Sequence, residues 1–170
     1  MSLLRTVAQV TISMTGGDLV CQALEANRAK EQQPEVSDTL ESGSHASWWD
    51  PRRSRRMAVT GLFVQGPWSH LQYQLLEVVA AGTSNRAVLT KVAIGAITAP
   101  LSISMTFSSI GLQKGHTFQQ IKEKIQRDVP DTWMTGACYW PFIMTMNFKF
   151  VSLANRPLVG SLAGSFWSVY

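Results

Sequence analysis

Apolar positions in this chain gather into long runs, not into the short alternations or half-polar stripes of a water-soluble fold. From Met57 to Leu112 the charged residues are Glu77, Arg86 and Lys91, and from Thr132 to Tyr170 they are Lys149 and Arg156. A soluble two-layer domain needs a polar face on nearly every helix or strand, and these stretches supply none. Membrane strands would show repeated alternation over about ten residues per segment, which is not visible. The pattern therefore predicts helices that cross a hydrocarbon layer of about 30 Å, each needing about 20 residues.

Four stretches meet or approach that length. The first runs from about Thr6 to Leu24 and carries Asp18 and Gln22. The second, about Met57 to Ala81, is amphipathic in its later half through His70, Gln72, Gln74 and Glu77. The third has no charge from Val92 through Leu112, with Pro100 near its middle. The fourth, about Thr132 to Ala154, holds Pro141 and ends near Lys149. Beyond it, residues 157–170 form an uncharged run of 14, too short to span alone. Between the third and fourth spans, Phe118, Ile121 and Ile125 recur at helical spacing with Lys122, Lys124 and Arg127 elsewhere around the turn, a pattern that suits a helix lying in the membrane interface. The expected architecture is an all-α integral membrane protein. It has four principal transmembrane helices, an interfacial amphipathic helix and a short C-terminal helical segment, in a single bundle over residues 1–170.

The polar block changes the picture in one place. Residues 26–49 form a loop rich in Pro, Glu, Ser and Gln, inserted between the first and second spans, and it leads into Arg52, Arg53, Arg55 and Arg56. A basic run that abuts an apolar helix anchors it at lipid headgroups, which argues against nucleic acid as a partner. Over the whole chain, 15 Lys and Arg face 11 Asp and Glu for a net charge of +4, and 15% of positions are charged against roughly a quarter in soluble domains. The mean hydropathy of +0.02 averages the apolar spans with this block. Disorder and a disulfide scaffold are excluded. Cys21 and Cys138 read as small buried hydrophobes. No metal spacing, phosphate loop or nucleophile with its base is present, so no catalytic, cofactor or metal site is expected. The amino terminus shows no presequence, which points to internal targeting information.

The polar and special residues of the spans fall at recognisable spacings: Gly17-Asp18-x-x-x-Gln22, then Asp50-x-x-Arg53-x-x-Arg56, Gly61, Gly66-Pro67-x-x-His70-x-x-Tyr73, Trp140-Pro141, Asn147-Phe148, Arg156 and Trp167-x-x-Tyr170. This set resembles the family of small membrane proteins of peroxisomes and the mitochondrial inner membrane named after the Mpv-seventeen protein and the 22-kilodalton peroxisomal membrane protein. The resemblance implies residence in the mitochondrial inner membrane, or alternatively the peroxisomal membrane, and a channel-like or membrane-homeostasis role. Three departures stand out. Ile94 and Gly95 follow Lys91 where the family commonly has an Asp-Gln pair, Met144 replaces a Gln, and Ser152 a proline. These losses are expected to strip polar groups from the bundle interior. They favour the alternative role, a structural accessory subunit of a large inner-membrane assembly such as a respiratory complex, docked through Trp48-Trp49 and the polar loop. The expected partners are membrane lipids and, in that alternative, neighbouring subunits.

For the retained residues two readings stand side by side. Asp18, on one helical face with Gln22, is either a gating group or half of a structural ion pair, with Arg53, Arg56, Lys149 and Arg156 as candidate partners. His70 is either a hydrogen-bonded structural residue or a proton relay. Gly66-Pro67 is expected to kink the second span, and Trp133, Trp140 and Trp167 to anchor or pack. Thr98, Ser102, Ser109 and Gln113 share a face that either packs against a helix or lines a water path. The two long loops carry ten Lys and Arg against at most five on the other side. The cation bias thus places those loops in the matrix and both termini outside.

Overall fold

Local signals set the helix boundaries. Asp50 accepts from the Arg52 amide at 2.8 Å and Pro51 starts the next helix. The Ser84 hydroxyl caps Ala87 at 3.2 Å. Thr117 and Gln120 form a reciprocal box, the Gln120 side chain accepting from the Thr117 amide at 2.8 Å and the Thr117 hydroxyl from the Gln120 amide at 3.3 Å. The turns between helices use Gly82 and Gly115 at φ of 85° and 77°, where a side chain is strained. The computed structural model describes residues 2–31 and 48–167. In it are α1 (Leu3–Glu31), α2 (Pro51–Thr60), a π-helical turn (Gly61–Gln65), α3 (Gly66–Val79), α4 (Asn85–Gln113), α5 (Phe118–Phe150) and α6 (Arg156–Trp167). No strand occurs among the described residues.

The all-α expectation holds, with changes of boundary. α1 continues to Glu31, so the polar loop is shorter at its start than expected, and residues 32–47 of it lie outside the described residues. The kink expected at Gly66-Pro67 takes the form of a widened turn just before it, where the Gly66 amide bonds the Gly61 carbonyl five residues back. Proline at position 67 has no amide to donate and crowds the carbonyl four residues earlier, and a π turn accommodates both. The separate interfacial helix is corrected. Residues expected there and in the fourth span form one continuous α5 of 33 residues. Continuity follows from its packing, since Ile121, Val129 and Gly136 are buried at spacings of eight and seven along one face. Of the interfacial pattern, Phe118 is exposed while Ile121 is buried. Among the described residues one helix, Asn85–Gln113, meets a length-and-hydropathy criterion for crossing a membrane.

The interior mixes polar residues with apolar ones such as Leu76, Val88 and Phe148, and many large apolar side chains lie outside. Thr6, Ser13, Asp18, Gln22, Ser54, Thr60, Lys91, Asn147 and Arg156 are buried, whereas Phe63, Ile97, Phe142 and Phe166 are at least 66% exposed. An apolar exterior of this extent requires an apolar surrounding. Inside, small residues let helices approach. A Cβ on Gly17 would lie 2.2 Å from Ser165 Oγ, so α1 and α6 touch there, and the Ser165 hydroxyl donates to the Ser13 carbonyl at 2.9 Å. Gly61 and Gly66 sit equally close to the α1 backbone at Thr11 and Val7. α4 and α5 run antiparallel, from Gly111 against Ile121 through Trp133, whose indole donates to the Ala96 carbonyl at 2.9 Å, to Lys91 over the Phe148 ring at 5.7 Å.

Candidate functional site

The chemistry-bearing residues gather in three connected groups. The first joins α1 to α2. Asp18, with its side chain 1% exposed, has Arg53 Nε 2.6 Å from Oδ1, while Oδ2 accepts from Gln22 at 2.7 Å and from the Ser54 hydroxyl at 2.8 Å. Arg53 reaches on to Glu25 through two contacts at 2.8 and 3.2 Å. The Gln22 side-chain oxygen accepts from the Asp50 amide, and the Trp49 indole donates to Ser54 at 3.2 Å. Among the cations expected to pair with Asp18, Arg53 does so. Arg56 instead offers its carbonyl to Gln113 at 3.3 Å, on the neighbouring seam.

The second group lies between the α2–α3 helices and α4. The Gln113 amide donates to Thr60 at 3.1 Å and to Ser109 at 3.2 Å, and the Thr60 and Ser109 hydroxyls are 2.9 Å apart. Next along the seam, Gln65 donates to the Ser102 carbonyl at 3.1 Å and to the Thr106 hydroxyl, and the Ser102 hydroxyl returns a bond to Gln65 at 3.3 Å. Then Gln72 donates to Thr98 at 2.8 Å. Last, Lys91 donates to Glu77 at 2.7 Å. The face of Thr98, Ser102, Ser109 and Gln113 read from the sequence is thus matched rung by rung from the opposite helix. Gln65 and Gln72 bring polar groups to this seam from the second span.

The third group closes the seam where α3, α4, α5 and α6 meet. Glu77 Oε2 accepts from Lys91 and from Arg156, each at 2.7 Å, and Oε1 from the Gly82 amide at 3.0 Å. Lys91 also donates to the Gly82 carbonyl at 2.8 Å, and Arg156 to the Val151 and Phe148 carbonyls at 3.2 Å. The Phe148 ring lies under both cations, 5.7 Å from the ammonium and 5.4 Å from the guanidinium. Behind it, Tyr73 and Asn147 both donate to the Arg156 carbonyl, at 3.2 and 3.1 Å, and Asn147 donates to the Tyr73 oxygen at 3.2 Å. Gly160 makes room, since a Cβ there would sit 2.7 Å from that oxygen.

The remaining predicted residues are placed apart from these groups. Both ring nitrogens of His70 are engaged, with Thr6 at 3.4 Å and Gln74 at 3.0 Å. Trp140 packs edge-on against Tyr139 and approaches Gly136 and Gly164, Tyr139 stacks on Trp167 at 5.1 Å, and Pro141 lies inside α5. Sequence reasoning passed over Ser54, Thr60, Gln65, Glu77 and Lys91 as site residues. Two signals were present. Gln65 and Gln72 are seven apart, two turns of one face, and Glu77 is the single acid between Met57 and Leu112.

The profile of the Mpv17 / PMP22 family matches residues 111–170, which include Trp140-Pro141, Asn147-Phe148 and Arg156. Protein sym-1 of Neurospora crassa is 31% identical over 71% of this chain and 70% of its own length. The chain belongs to the Mpv17 / PMP22 family. PXMP2/4 family protein 4 of Dictyostelium discoideum is 29% identical over 79% of this chain and 76% of its own length. Mitochondrial inner membrane protein Mpv17 of Danio rerio is 28% identical over 70% and 68%. No solved structure matches. As an Mpv17 / PMP22 protein the chain is assigned to the mitochondrial inner membrane, and a peroxisomal location is consistent with the PXMP2/4 relative.

Proposed function

We propose that this chain is a non-enzymatic, channel-like protein of the inner membrane that passes small polar solutes along the seam between α2–α3 and α4. The observation that supports this reading is the reach of the seam. Lys91 and Gln113, its two ends on α4, are 22 residues apart, which at 1.5 Å per residue is about 33 Å, close to the thickness of the hydrocarbon layer. Every rung between them is a pair of hydrogen-bonding side chains that water can replace when the helices part. In this reading α1, α2–α3, α4 and α5 are the four spans. The described part of the 26–49 loop and the α4–α5 connection face the matrix.

The test is solute release from liposomes holding the purified protein. Ser102→Leu with Thr106→Leu should abolish release by filling the middle of the seam with apolar groups. Leu101→Ala, on the exposed face of the same helix, should leave it unchanged. Release that is absent in the unsubstituted protein, or indifferent to the seam substitutions, would overturn the proposal.

A further inference from the structure

We infer that Glu77 is the latch at the α3–α4 end of the seam and that the charge around it makes the open path prefer small anions. The inference rests on the channel-like reading above. Of the described ion pairs, those of Glu77 are the two that tie α4 and α6 to another helix. The Arg53 pairs join α2 to α1, and the pairs of Lys124 and Arg127 with Asp128 stay within α5. Separation of α4 from α3 must therefore break the Glu77–Lys91 contact.

Charge at this point does not balance. One carboxylate, 27% exposed, serves two cations whose side chains are 0% and 5% exposed. Further cations bond or adjoin residues at the ends of these helices. Arg5 bonds Asn155 at 2.9 Å beside Arg156, Lys149 bonds Asn85 at 3.3 Å, and Arg86 follows Asn85. In the closed seam Glu77 holds both cationic heads. Once α4 parts, Lys91 moves away from the carboxylate and its ammonium joins Arg156 at the mouth of a path whose other rungs are uncharged. Rings of Lys and Arg select anions in this way.

Three versions of the full chain form a series of net charge for Glu77, Lys91 and Arg156. Lys91→Met leaves a neutral Glu77–Arg156 pair, the unsubstituted protein carries a surplus of one, and Glu77→Gln carries a surplus of two. Each is reconstituted in planar bilayers under a potassium chloride gradient after a check of monodispersity by sizing. The reversal potential should move toward the chloride equilibrium value in that order, and Glu77→Gln should be open several-fold longer. Cation preference in the unsubstituted protein would overturn the inference, as would a reversal potential common to all folded members. If Glu77→Gln does not remain monodisperse, Lys91→Met against the unsubstituted protein decides, since methionine keeps the packing on Phe148. Absence of current from every folded member would instead overturn the channel-like reading itself.

Discussion

Asp18 and Glu77 both hold helices together through a carboxylate, and they do it in opposite ways. At Asp18 the acid is buried and its cation half-exposed, with a second acid, Glu25, taking up the remaining side of Arg53. At Glu77 the acid is the more accessible partner and two buried cations depend on it. A buried acid with an accessible arginine behaves as a clasp whose loss leaves little stranded charge. A single acid that neutralises two buried cations is a point where one change frees both. Structural locking suits the first, and a site that opens suits the second.

The largest effect that tests this contrast is expected for Glu77→Leu. It strands Lys91 and Arg156 without a counter-charge and should cost about 4 kcal/mol, read as thermal unfolding in mild detergent. Asp18→Ala should cost less, about 2 kcal/mol, because Arg53 keeps Glu25 and can rotate toward solvent, and adding Arg53→Ala should recover part of it. Equal losses at the two sites would erase the comparison. Gly17→Ala places a methyl group against Ser165 and should cost about 1.5 kcal/mol by overpacking the α1–α6 contact, with no change in reversal potential. Glu25→Ala removes an exposed pair and should change stability by less than about 1 kcal/mol, which separates the clasp itself from its surface extension.

Much of the fold was legible because lipid-facing helices leave a one-dimensional record. Long runs with few charges place most of α2–α3 and α4 without any contact information. α5 was misread as an interfacial helix and a separate span from about Thr132, because its first part carries charges and its second carries almost none. Its burial against α4 carries the helix through. The candidate site was partly legible. Asp18 with Gln22, and the α4 face from Thr98 to Gln113, were read from spacing alone. Glu77 and Lys91 were seen as charges but not as partners, since 14 positions separate them and the hairpin at 80–84 brings them together.

What the sequence by itself determined is the solvent of this protein: an apolar exterior, polar residues confined to a few helical faces, and membership of a membrane family through residues in register. Those properties depend on residue type and local period, which a linear chain carries in full. Which cation Asp18 takes, which α4 residues Gln65 and Gln72 meet, and where two cations share one carboxylate were decided by tertiary structure. Each depends on how far helices slide and rotate against one another, which close approach at Gly17, Gly61 and Gly66 sets. A shift of one residue along any of those contacts would pair different side chains, and no local pattern encodes that offset.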